Sequence, residues 1–111
     1  MIRGHVNEVG EAIIRLKLRG ADGEQSEIDA MIDTGFTSAL TLPVSILESL
    51  KLTALTDGTI SLADGSERQF DIYTVQTLWD GQWCPVIAWA MGDKPLIGRR
   101  LLAKHALFIE M

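Results

Sequence analysis

Extended runs separated by Asp-Gly dipeptides leave this chain few folds to choose from. In residues 11–19, Ile14, Leu16 and Leu18 fall on one side and Arg15, Lys17 and Arg19 on the other, the period of two that marks a half-exposed strand. Ala21-Asp22-Gly23-Glu24 then reads as a turn, with Gly23 taking positive φ. Residues 25–32 return as a second strand with Ile28, Ala30 and Ile32 facing inward. The same arrangement recurs downstream. Residues 59–62 and 67–79 flank Ala63-Asp64-Gly65-Ser66, and Asp80-Gly81 leads into residues 82–91. Asp-Gly between extended runs is a strong hairpin signal. Residues 82–91 are nearly all apolar, which predicts a central strand buried on both faces.

Helical patterning is brief. Residues 39–42 read as a short strand. Pro43 suits the first turn of a helix whose apolar face is Val44, Ile46, Leu47 and Leu50. Residues 99–104 read as a second short helix, and residues 106–111 alternate again as a closing strand. Many short strands, tight turns and two short helices predict a mainly-β fold, a small closed barrel, rather than a βαβ unit.

The 111 residues fit one domain, 1–111, and a hydrophobic fraction of 47% supplies a core. A chain this short buries a modest share of its surface, so association would help it. No apolar stretch approaches the length of a membrane span. Met1-Ile2-Arg3-Gly4-His5 lacks the layout of a signal peptide, so cytoplasmic residence is expected. The net charge is −5 and the cations are scattered apart from Arg99-Arg100. That argues against a nucleic-acid partner, which needs a clustered positive footprint. Cys84 has no partner for an internal disulfide, and with only His5 and His105 beside it the chain offers a poor zinc set. Cys84 is expected in the core. Asp29, Asp71 and Asp93 lack metal-ligand spacing, and Trp79, Trp83 and Trp89 are expected as packing residues around one hairpin.

The chemistry concentrates at Asp33. An apolar strand carries this aspartate to its end, and Thr34-Gly35 turns the chain sharply. The tripeptide alone also fits a capped turn, with the aspartate bonding nearby amides. One carboxylate cannot be both acid and base in a single hydrolytic step. Two copies of the chain meeting at this turn would supply two.

Three elements stand in a telling order: Ala30-Met31-Ile32-Asp33-Thr34-Gly35, then Leu62-Ala63-Asp64-Gly65-Ser66, then Pro95-Leu96-Ile97-Gly98-Arg99-Arg100-Leu101-Leu102. Together they resemble the retropepsin-like aspartic proteases, the clan of the retroviral proteases. The form Asp33-Thr34-Gly35-Phe36 with Leu42-Pro43 shortly after is similar to their prokaryotic single-domain relatives. The resemblance spans roughly residues 11–111. It implies a homodimeric endopeptidase with no cofactor and no metal, acting on peptide or unfolded protein. Asp33 would be the catalytic carboxylate, Thr34 would lock the two active-site turns together, and Gly35 would admit substrate backbone. Gly35 and Phe36 would line the cleft, and the hairpin of Leu62, Ala63, Asp64 and Gly65 would be the flap. Leu96-Ile97-Gly98 would pack behind the turn, and residues 106–111 would join the dimer interface. Thr37 stands where retroviral enzymes place an aspartate that pairs with the helix arginine, so Arg99 is expected without that partner. A non-catalytic peptide-binding or dimerisation module on the same fold is the alternative, motivated by the bulk of Phe36 and the stiff hairpin tip.

Overall fold

The computed structural model of the chain describes residues 1–110. It contains eight strands and two short helices: β1 (His5–Val6), β2 (Ala12–Arg19), β3 (Gln25–Ile32), β4 (Leu40–Leu42), α1 (Val44–Ser49), β5 (Thr56–Ser61), β6 (Glu67–Trp79), β7 (Gln82–Ala90), β8 (Leu96–Ile97) and α2 (Arg99–Leu102). Hydrogen-bonded neighbours run β1-β2-β3-β8-β4-β7-β6-β5, and a further β2–β6 pairing closes β2 through β6 into a ring. The fold is therefore mainly β, a closed barrel flanked by two short helices. Among the described residues no helix is long and apolar enough to cross a membrane.

The alternation in β2 and β3 does what period-two patterning dictates. Ile14, Leu16, Leu18, Ile28 and Ala30 are buried. On the outer face, Arg15 reaches Glu27 and Asp29 at 3.0 and 3.1 Å, and Lys17 reaches Glu27 at 3.5 Å. These exposed cross-strand pairs contribute little to stability but reinforce register. The β6–β7 connection is a two-residue loop, with Trp79 opposite Gln82. Asp80 and Gly81 both take positive φ, 51° and 80°, as the favoured twist of such a hairpin requires. Pro43 stands at the N-cap of α1, just ahead of the first turn expected for it, and the helix buries Leu47 with Leu50 just beyond it. Val44 points outward, 49% exposed, and does not join that face.

Several expectations are corrected. β7 is not buried on both faces: Val86 and Ala88 are buried, whereas Ile87 between them is 37% exposed. Its apolar run reflects composition on the outer face, not a second covered side. β5 starts at Thr56, ahead of the expected residue 59, so Asp57-Gly58 lies inside a strand. The second helix ends at Leu102, because Ala103 is extended and Lys104 takes a φ of 67°. Residues 106–110 form no strand, and Met111 lies outside the described residues. Among the described residues no strand pairs with that segment, and a segment without a neighbour has no ladder to join. Cys84 is half-buried rather than enclosed, its Sγ 3.7 Å from the Thr77 carbonyl oxygen.

Leu16, Leu18, Leu40, Leu42, Leu47, Leu50, Val75 and Ile97 are almost completely shielded from solvent, each stabilising the fold by about 1.5–3 kcal/mol. Leu40→Ala is expected to lower unfolding stability by about 2–5 kcal/mol, seen as a lower denaturant midpoint. Ile87→Ala, on the open face, should change it by less than about 1 kcal/mol.

Candidate active site

Asp33 lies one residue past β3, and its position is set by β8. That short strand pairs in parallel with β3 (Met31 opposite Leu96, Ile32 opposite Ile97) and antiparallel with β4. The Asp33 amide continues the ladder, donating to the Ile97 carbonyl at 2.8 Å. The side chain of buried Thr41 supports β8 from the other side: its hydroxyl accepts from the Leu96 amide at 3.1 Å and donates to the Lys94 carbonyl at 3.5 Å.

The turn that follows is closed by its own aspartate. The Gly35 amide donates to Asp33 Oδ1 at 3.0 Å, and the Phe36 amide donates to the Asp33 carbonyl at 3.1 Å. A side chain at Gly35 would press on that carboxylate, since a Cβ there would sit 3.2 Å from Oδ1. Beyond the turn, the Phe36 carbonyl accepts from the Arg99 amide at 2.8 Å, tying the loop to the start of α2. Gly98 makes this contact possible, because a Cβ would collide with the Ser38 carbonyl oxygen and sit 2.8 Å from that of Phe36. Asp33 is half-buried while Thr34 and Gly35 are exposed. Asp33 Oδ2 and the Thr34 hydroxyl have no hydrogen-bond partner among the described residues. The carboxylate is thus held by one oxygen and presents the other. Arg99 takes part in none of the ion pairs among the described residues. No group of three or more metal-ligating side chains occurs there either.

Leu62, Ala63, Asp64 and Gly65 lie elsewhere, at the exposed tip of the β5–β6 hairpin. The tip is laced shut: Leu62 donates its amide to the Ser66 carbonyl at 2.7 Å, and Asp64 Oδ1 accepts from the Ser66 amide at 2.9 Å and the Ser66 hydroxyl at 2.5 Å. Those Ser66 donors, the hydroxyl foremost, hold the Asp64 carboxyl below the usual carboxylate range. None of the tip's hydrogen bonds reaches the Asp33 turn.

What does join the hairpin to the turn is a row of rings. Phe36 stands edge-on to Trp89 with centroids 5.1 Å apart and planes at 77°. Trp89 in turn lies against Phe70 of β6 at 4.6 Å and 32°. Phe70 faces Gly58 across the β5–β6 ladder, where a Cβ would sit 2.8 Å from the ring. Phe36 belongs to the expected cleft residues, but its partners carry no local signal: Phe70, Trp89 and Gly58 are far apart in sequence and share no motif. Asp57-Gly58 sits in the strand, not in a turn, because the glycine makes room for this ring.

Two surface grooves open nearby, one of about 250 Å³ lined by Val44, Asp57, Gln69, Phe70, Asp71 and Ala90. The other, of about 230 Å³, runs along Pro85, Val86, Ile87 and Arg100. Neither is lined by Asp33.

Among solved structures, the chain is similar to the simian foamy virus (mac) protease in solution, with a TM-score of 0.62 and 20% identity over 86% of this chain and 99% of that one. It is also similar to the EIAV protease complexed with the inhibitor HBY-793, with a TM-score of 0.67 and 15% identity over 93% of this chain and 97% of that one. The fold is that of the retroviral proteases. No family model and no curated protein matches the chain.

The Asp64–Ser66 lock has a pH signature. A depressed carboxyl stabilises above its unfolded value, and that contribution is lost as pH falls through its folded value. The Ser66 amide resonance should therefore titrate with a midpoint below about 3.9, the ordinary aspartate value, and Ser66→Ala should move the tip's titration back up. A Ser66 amide that titrates at or above the ordinary value would remove the lock.

Proposed function

We propose that the chain is a homodimeric aspartic endopeptidase of the prokaryotic single-domain type, acting in the cytoplasm on peptide or unfolded protein. The observation that carries this reading is the Asp33 turn. On a retroviral-protease fold, a half-buried carboxylate is fixed through Oδ1 and leaves Oδ2 free at the end of a barrel strand. One Asp33 from each subunit would form the catalytic pair across a two-fold axis. Thr34, exposed and without a side-chain partner among the described residues, would bond its counterpart. The exposed apolar side chains Leu107, Phe108 and Ile109 suit a strand that finds its ladder only in a second copy. A cleft built between two subunits also accounts for grooves on one subunit that miss Asp33.

In that pair the ionised carboxylate takes a proton from water while the protonated one donates to the scissile carbonyl oxygen. The attack gives a tetrahedral diol. Its collapse breaks the C–N bond as a proton passes to the departing amine. Two close carboxylates cannot both ionise freely, so they share one proton and titrate as a unit; aspartic proteases are the standard example. Gly35 and Phe36 would line the cleft, and Leu62, Ala63, Asp64 and Gly65 would form the flap above it.

A second reading has its own observation. Among the described residues β5 pairs only with β6, which leaves its outer edge open. A non-catalytic module could hold an extended peptide there by strand addition.

Cleavage of an unfolded substrate between about pH 3 and 8 separates the two. The enzyme reading expects acid-favoured cleavage that Asp33→Asn reduces by about a hundred- to ten-thousand-fold, with fold and dimer retained. Sedimentation should show activity rising with the dimer fraction. Peptide binding without turnover, unchanged by Asp33→Asn, would establish the module instead.

A further inference from the structure

Beyond Ile72, which lies opposite Trp89, β6 leaves β7 and pairs with β5 alone. Residues 56–71 therefore form a two-stranded arm projecting from the barrel. An isolated two-stranded hairpin is at best marginally stable in water. Phe70 is the one buried side chain of this arm; Gly58 and Ile60 are half-buried and the rest is exposed. Apart from the continuous β6 strand, the arm's one buried tie to the body is the Phe70 ring, and that ring rests on Trp89. Trp89 meets Phe36, whose backbone is bonded to Asp33 on one side and Arg99 on the other.

We infer that Phe36, Trp89 and Phe70 form an aromatic linkage that positions the β5–β6 arm relative to the Asp33 carboxylate. Phe36 is its positioning residue. The inference rests on the endopeptidase reading for its consequence in catalysis, but the linkage itself is a property of the fold. Aromatic pairs prefer tilted and edge-on geometries, and such contacts stabilise beyond the area they bury. A swing of the arm moves Phe70 against Trp89 and must be matched at Phe36, three residues from the carboxylate. A peptide that orders the arm would in this way also settle the Asp33 turn. The bulk of Phe36 then has a role: a small side chain would leave Trp89 without its edge contact and the arm's root without a stop.

Hydrogen exchange tests the linkage without any need for catalysis. Phe36→Ala should speed exchange of the amides of β5 and of residues 67–70 by about tenfold, the scale of one lost ring contact. The β2–β3 ladder should keep its protection, and Phe36→Tyr, which keeps the ring, should behave as wild type. From the other end, Gly58→Ala should displace Phe70 and speed exchange of the Gly35 and Phe36 amides. The double variant should fall short of the sum of the two. An arm unchanged in Phe36→Ala would overturn the inference. So would a loss of protection spread evenly over all strands, or strict additivity. If the protein cleaves peptides, Phe36→Ala should lower kcat more than it raises KM, with recovery in Phe36→Tyr. Absence of cleavage in every variant would count against the endopeptidase reading while the exchange result judged the linkage.

Discussion

The Asp33 turn depends on a strand of two residues. Leu96 and Ile97 sit between β3 and β4, parallel to one and antiparallel to the other. Such a short strand has little order of its own. It is held because Ile97 is fully buried, because both neighbours belong to the barrel wall, and because the Thr41 hydroxyl satisfies the Leu96 amide in the interior. A buried amide left without that partner would cost about 1–3 kcal/mol. The Ile97 carbonyl then fixes the Asp33 amide, and bare Gly98 lets the loop's own carbonyls approach the start of α2. The barrel core and the carboxylate therefore meet at one point.

Local geometry at Asp33 is not by itself distinctive. Asp64 makes the same kind of turn: each Oδ1 accepts the amide two residues on. Both are the side-chain-closed turns that aspartate favours. The difference lies behind them. Asp64 caps the tip of an exposed arm, whereas the backbone around Asp33 is bonded into β8 and α2, so its carboxylate cannot wander. The capped-turn reading of Asp33 is true of its hydrogen bonds, and what distinguishes it from Asp64 is the barrel behind it.

What the sequence disclosed follows from the reach of its signals. Alternation over eight residues in β2 and β3, and the Asp-Gly loop after Trp79, are local rules that this chain obeys, and they placed the hairpins and the closed mainly-β fold. Two residues cannot show a period, so no strand was expected at β8; the resemblance placed Leu96-Ile97-Gly98 behind the turn without saying how it is held. The apolar run in β7 concealed its alternation because Ile87 puts an apolar side chain on the open face. The strand expected at residues 106–111 had the right pattern, but a pattern supplies no neighbour. At the site, Asp33, Thr34, Gly35 and Phe36 were readable as one turn. The ring row was not, since Phe36, Phe70 and Trp89 come together only when β6 and β7 pair.

The arm shows how the same chain can be firm at one place and yielding at another. Its strands bury one side chain, while the barrel wall buries many. Local opening is cheapest where few apolar contacts must break, so the arm should be the first strand pair to move. In the endopeptidase proposed above, a flap that admits and releases peptide would benefit from that weakness, provided something restored its position. Hydrogen bonds at the tip, donated by Ser66 to Asp64, close the turn between the two strands but do not aim them. Aim has to come from the root, where Gly58 lets Phe70 fold inward onto Trp89. A larger residue at position 58 would leave the hairpin's ladder possible while removing its orientation. The division of labour is physical: polar closure at the tip, apolar seating at the root, and a rigid barrel behind both.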